Sequence, residues 1–189
     1  MEEATYTLKD VTHHSGLEPR SVQFLTQSRA LHAKPGTLHS GPGRHRLYSQ
    51  RELVVAIILG SLSKFKLPIG TLISLAEKLR EILSTGEELG YADPDEVFEM
   101  LRSKEQRKKI PKKNRLRLDL WASFELCKLG KANTFIALHV KENREWEFEF
   151  FSDDVERSGV RTRLEDIRMD WGAFIVVDVR LLLCELYPR

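Results

Sequence analysis

The chain has 189 residues, 41% hydrophobic and 31% charged, with a formal net charge of +2, a composition of one medium globular domain or two small ones. It contains no run of 18 apolar residues, which argues against a membrane-spanning helix, and its acidic, polar start, MEEATYTLKDV, does not resemble a secretory signal, so a cytoplasmic location is expected. Cys127 and Cys184 are too sparse for a disulfide framework or a zinc knuckle and read as buried reduced thiols.

Charge is unevenly spread. Residues 1–66 hold nine Lys and Arg against five Asp and Glu, together with five of the six histidines. Residues 67–100 hold two against eight, residues 101–118 nine against one, and residues 119–189 ten against fourteen. A basic head, an acidic middle, a basic hinge and an acidic tail suggest separate modules. A basic head is compatible with phosphate binding.

In chain order, Thr5 to Leu8 reads as a short strand. A short helix ended by Gly16 follows, with Leu8, Val11 and Leu17 toward a core. In LEPRSVQFLTQSRAL, Pro19 suits a first helical position, and Val22, Leu25 and Arg29 share a stripe. Two short helices joined by a tight Ser-Gly-Leu-Glu turn have the grammar of a helix-turn-helix. HAKPGTLHSGPGRH carries too much turn chemistry for a helix and predicts a hairpin or an irregular loop. Ser49 with Glu52 predicts a capping box, opening a helix whose sequence, LVVAIILGSL, is apolar nearly all round and so central to the domain. Pro68 starts a further helix, with Ile69, Leu72, Ile73, Ala76, Leu79 and Leu83 as its apolar stripe and Gly86 as its stop. Asp93, Pro94 and Glu96 predict another capped start. The basic stretch from Arg102 to Arg117 reads as a domain boundary and a second place where a polyanion could bind.

Beyond it the pattern changes. RLRLDLW alternates Leu116, Leu118 and Leu120, TFIALHV and AFIVVDV are compact apolar runs, and EWEFEFF sets Trp146, Phe148 and Phe150 against glutamates. All four read as strands. LEDIRMDW reads as a short helix, and RLLLCELY as helix or strand.

No phosphate-binding loop, dinucleotide fingerprint, zinc-protease motif or nucleophile elbow occurs. No catalytic residue, cofactor or metal site is expected. His13 and His14, adjacent on a helix, point about 100° apart and do not converge on an ion.

Together YTLKDV, SGLEPRSVQFL and GRHRLYSQREL resemble the DNA-binding domain of the MerR family of transcription regulators, over roughly residues 5–83. The resemblance implies a winged helix-turn-helix in residues 1–84, and with the pattern read along the rest of the chain the expectation is an α+β protein, with a helical linker and basic hinge in 85–115 and a small sheet-containing domain in 116–189. It implies a homodimer on an inverted repeat of double-stranded DNA, with RNA polymerase as a further partner at the promoter and no membrane. Arg20, Ser21 and Gln23 would enter the major groove, with Phe24 toward the backbone, while Arg44, His45, Arg46 and Tyr48 would form the wing's contacts. The family's long dimer helix is expected here to break at Thr85–Ala92, leaving residues 94–108 or the tail to pair subunits. No cysteine precedes Cys127, which disfavours metal sensing. The alternative function is an architectural, recombination or partition cofactor that bends DNA with the same winged module.

The arginines have a physical rationale. A planar five-donor guanidinium matches phosphate and guanine edges, and a Gly-Pro-Gly turn is narrow enough to approach a sugar–phosphate backbone.

Overall fold

Thr7 ends the first strand, β1 (Thr5–Thr7), and caps the first helix, α1 (Leu8–Ser15). Its hydroxyl accepts from the Asp10 N–H at 3.4 Å, while Asp10 Oδ2 accepts from the Thr7 N–H at 2.7 Å and from the Thr7 hydroxyl at 2.8 Å, a complete capping box. The computed structural model describes residues 4–37, 45–140, 146–153 and 174–187 of the chain. They form a mixed α and β protein with two small antiparallel sheets, dividing into two units, 1–80 and 81–189.

In the first unit, Gly16 ends α1 at φ +66°, a left-handed position that glycine takes without steric cost. Two residues later α2 (Pro19–Gln27) begins, with Pro19 in its first turn as expected. Strand β2 (Leu47–Ser49) runs antiparallel to β1 with Tyr6 opposite Tyr48. The Lys34–Thr37 turn is tied to it, because the Lys34 N–H donates to the Leu47 carbonyl at 2.7 Å. Helix α3 (Gln50–Ser63) is buried continuously from Glu52 to Gly60 and forms the centre of the unit. A Cβ on Gly60 would collide with the backbone carbonyl of Ser15, so this glycine sets the close approach of α1 to α3.

Two expectations for this part of the chain are corrected. Ser49 does cap α3, accepting from the Glu52 N–H at 3.2 Å, but the Glu52 carboxylate does not complete the box. It turns to Arg80 and to the His32 N–H, because a cationic donor makes a stronger bond than a neutral N–H. Helix α4 (Ile69–Leu89) does not stop at Gly86 and is unbroken until Gly90, at φ +75°. The division between the two units falls within it, after Arg80.

In the second unit, α7 (Lys112–Lys128) explains Gly86. The Trp121 ring lies where a Cβ at Gly86 would stand, so this glycine admits an indole instead of ending a helix. Helices α5 (Pro94–Arg102), capped by Asp93, and α6 (Lys104–Lys109), capped by Ser103, precede α7. Val97, Ile110, Leu118, Trp121 and Ala122 form one buried cluster, with Leu89 and Phe98 against it. The segment expected as a linker, 85–115, therefore contributes to this unit's core. Arg117 on α7 donates to Glu88 Oε2 at 2.6 Å and lies 3.1 Å from Glu81 Oε1, both on α4.

The expected strand at RLRLDLW is helix instead, the opening of α7. Leu118 and Leu120 are buried but Leu116 is 66% exposed, so the three alternating leucines do not share a face. The other three strands form as expected: β3 (Asn133–Val140), β4 (Trp146–Asp153) and β5 (Phe174–Asp178), antiparallel in the order β4-β3-β5. Ile136 sits between Phe150 and Val177 across the sheet. Phe148 and Phe150 pack edge to face at 5.9 Å between centroids, while Glu147 and Glu149 are exposed. Asp178 caps the last helix, α8 (Val179–Leu183), which resolves the start of RLLLCELY as helical. LEDIRMDW lies outside the described residues.

Candidate functional site

Helix α2 has two unlike faces. Val22, Leu25 and Thr26 are buried, while Arg20, Gln23, Phe24 and Gln27 are exposed. Those four positions follow the i, i+3, i+4, i+7 spacing of one helical stripe. Arg20 has no ion-pair partner among the described residues. Gln27 was not among the residues singled out from sequence. Its signal was there, one turn beyond Gln23, but the family motif ends before it.

The buried face of α2 is held by a polar clamp. Thr26 donates to the Val22 carbonyl at 2.8 Å, and its hydroxyl lies 3.0 Å from that of Tyr48. Tyr48 is 0% exposed. The expectation that Tyr48 grips a phosphate is therefore corrected: its ring fills the core and its hydroxyl is satisfied by Thr26, joining β2 to α2. A buried phenol needs such a partner, and Thr26 supplies it.

The remaining site residues divide by place. Ser21 is half-buried on the flank of α2. His45 is exposed and Arg46 half-buried, both immediately before β2. Arg44, with the Gly41-Pro42-Gly43 turn, lies outside the described residues. The structure thus brings Arg20, Gln23 and Phe24 onto one surface and removes Tyr48 from any surface.

Beside α2 lies a cavity of about 320 Å³, with Leu25, Leu59 and Leu72 among its apolar lining and Arg20, Ser21 and Lys66 among its polar lining. Phe24 lines it too and is 56% exposed. Arginine and two glutamines at this spacing offer a planar donor fork and two amides that both donate and accept, the groups that read guanine and adenine edges.

No protein-family model and no curated protein matches the chain. Among the described residues no cluster of three or more His, Cys, Asp and Glu is placed to hold a metal ion, and no helix is long and apolar enough to cross a membrane.

The second unit has its own cavity, of about 400 Å³, lined by Cys127, Asn133, Arg180, Leu183 and Tyr187 among others. Its cations are already engaged. Arg180 donates to Asn133 Oδ1 at 2.9 Å, and Lys128 pairs with Glu125 at 2.6 Å. Burial pushes the Cys127 thiol above its ordinary pKa, so it stays protonated and is a poor nucleophile.

Proposed function

We propose that this chain is a DNA-binding transcription regulator, with residues 1–80 acting as a winged helix-turn-helix. In this reading α1 and α2 are the helix pair and α2 is the recognition helix. Arg20, Gln23 and Gln27 face base edges in the major groove. His45 and Arg46, with Arg44, contact the sugar–phosphate backbone, and Tyr48 fixes the strand that carries them.

The observation that carries this reading is the exposed stripe on α2. A short helix whose other face is clamped into a core presents two glutamines at helical spacing and an arginine with no acidic partner among the described residues. Such side chains are costly to order unless a partner uses them. Duplex DNA offers both the charge and the edge pattern they match. The segment resemblance to MerR-type regulators supports the same assignment and adds an inverted-repeat target bound by two copies of the chain.

Selection of genomic fragments with the purified protein tests it. Wild type is expected to enrich an inverted repeat. Arg46→Ala should weaken all fragments about equally, because backbone contacts carry no sequence information. Arg20→Ala with Gln23→Ala should flatten the preference, at about 1–3 kcal/mol for each base edge no longer read. Unchanged enrichment by that double variant would assign the α2 stripe to a protein partner instead.

A further inference from the structure

The corner between α6 and α7 concentrates positive charge. Lys104, Arg107, Lys108 and Lys109 on α6, and Lys112 and Lys113 at the start of α7, are all exposed. Glu105 is the only acid among residues 104–113. None of the six cations has an ion-pair partner among the described residues. Their neighbours behave differently. Arg117 is paired with Glu81 and Glu88, and Arg102 sits 3.6 Å from Glu99 and over the Phe98 ring. Acids are thus paired with the cations that hold this unit together, while at the corner a single acid, Glu105, stands among six cations.

The corner is also held in shape. Ile110 is buried in the helical core, its N–H donates to the Arg107 carbonyl at 3.3 Å, and its carbonyl accepts from Arg115 Nε at 3.0 Å. Pro111 then fixes the turn into α7. Lys104 and Lys108 stand one helical turn apart, a like-charge arrangement that costs about 0.2–0.5 kcal/mol per pair. A rigid scaffold that keeps like charges together is explained by an anion that comes from outside the chain.

We propose that the α6–α7 corner is a sequence-independent contact for the sugar–phosphate backbone of duplex DNA. Duplex DNA carries one negative charge per roughly 1.7 Å of axis, so several cations spaced by a helical turn can engage phosphates together. A bilayer is a poorer fit, since α6 (Lys-Glu-Gln-Arg-Lys-Lys) contains no apolar residue to bury among acyl chains. The choice of DNA among polyanions rests on the reading of residues 1–80, but the contact is tested separately from it.

The test uses the full chain and a labelled duplex of scrambled sequence, titrated at salt from about 50 to 200 mM. The variant Lys108→Ala/Lys109→Ala/Lys112→Ala/Lys113→Ala is compared with wild type and with the corresponding four-fold Lys→Arg variant. The Ala variant is expected to bind with a slope of log K against log salt shallower by about 3–4, since each phosphate no longer neutralised removes about 0.9. The Arg variant should keep the wild-type slope, and all three proteins should melt alike. A slope shallower by about 2 or more supports the contact. A smaller change, no binding by wild type, or a loss seen only on phosphatidylserine vesicles overturns it. The α2 reading is judged instead by sequence preference among fragments, so binding without preference would sink that reading and leave the corner standing.

Discussion

Arg80 on α4 reaches Glu52 on α3 with two parallel bonds, Nε to Oε1 at 2.6 Å and Nη2 to Oε2 at 3.0 Å. Nη2 also donates to the Ala30 carbonyl at 2.7 Å, and Glu52 Oε2 accepts the His32 N–H at 2.8 Å. One largely buried pair therefore ties two helices to the segment that follows α2, the helix carrying the proposed reading stripe.

Removing one partner leaves the other charge without its counter-ion in the core. Arg80→Ala is expected to destabilise the first unit by about 3–5 kcal/mol, whereas replacing both partners by apolar residues of similar size should recover much of that loss. Urea denaturation of wild type, the single variant and a Glu52→Met/Arg80→Met double variant measures both. A double variant as unstable as the single one would show that the pair contributes more than mutual neutralisation.

Two glycines of α4 should respond in opposite directions to the same substitution. Gly86→Ala puts a methyl group into the Trp121 ring, and overpacking of this kind costs about 1–3 kcal/mol. Gly70→Ala meets nothing within 4 Å and should stabilise by about 0.4–1 kcal/mol through the unfolded chain. Thermal melts of the two variants, run side by side, decide whether the indole or the helix itself dictates glycine at each place.

The two thiols should react at different rates. Against the expectation of two buried thiols, Cys184 is exposed, while Cys127 is buried and its pKa is raised by that burial. A chromogenic disulfide reagent should label one thiol quickly in the native protein and the second only as the second unit opens. Cys184→Ser should remove the fast phase. Fast labelling that persisted in this variant would contradict the burial of Cys127.

The capping box at the start of α1 predicts a small acid-side loss of stability. The Thr7 N–H, then the Thr7 hydroxyl, hold the Asp10 carboxyl below its ordinary pKa. The unfolded chain therefore binds the proton first as pH falls. The stabilisation is fully present above the ordinary carboxylate value, about 3.9, and is lost as pH drops through the lower folded value. Solvent reaches and screens this half-buried group, so the effect is modest. Asp10→Asn should melt lower than wild type near neutral pH, and the gap should narrow toward about pH 3, below that ordinary carboxylate value. A gap that did not change with pH would point to packing instead of charge.

Much of the first unit was legible because its signals are local. Gly16, Pro19 and Ser49 each act within a few residues of their own position, and the structure uses each where the sequence placed it. The candidate site was legible in part. Arg20, Gln23 and Phe24 share a surface, but Tyr48, expected among the wing's contacts, is claimed by the core, with Thr26 beside its hydroxyl.

The misreadings have a common cause. Leu116, Leu118 and Leu120 alternate as a strand would, yet α7 is buried almost continuously from Leu118 to Cys127. A helix enclosed on most sides has no polar stripe, so the helical period disappears from its sequence. Gly86 looked like a terminator because a helical glycine is locally unfavourable, and only Trp121, 35 positions later in the chain, supplies the reason for it.

By itself the sequence determined where most elements begin, since caps, turn glycines and strand alternation are written in neighbouring residues. Only the tertiary structure decided which side chains the core claims and which it leaves on the surface. Glu52 going to Arg80, Tyr48 to Thr26, and six cations of the α6–α7 corner to no acid among the described residues depend on residues far apart in the chain, and local spacing carries no record of such meetings.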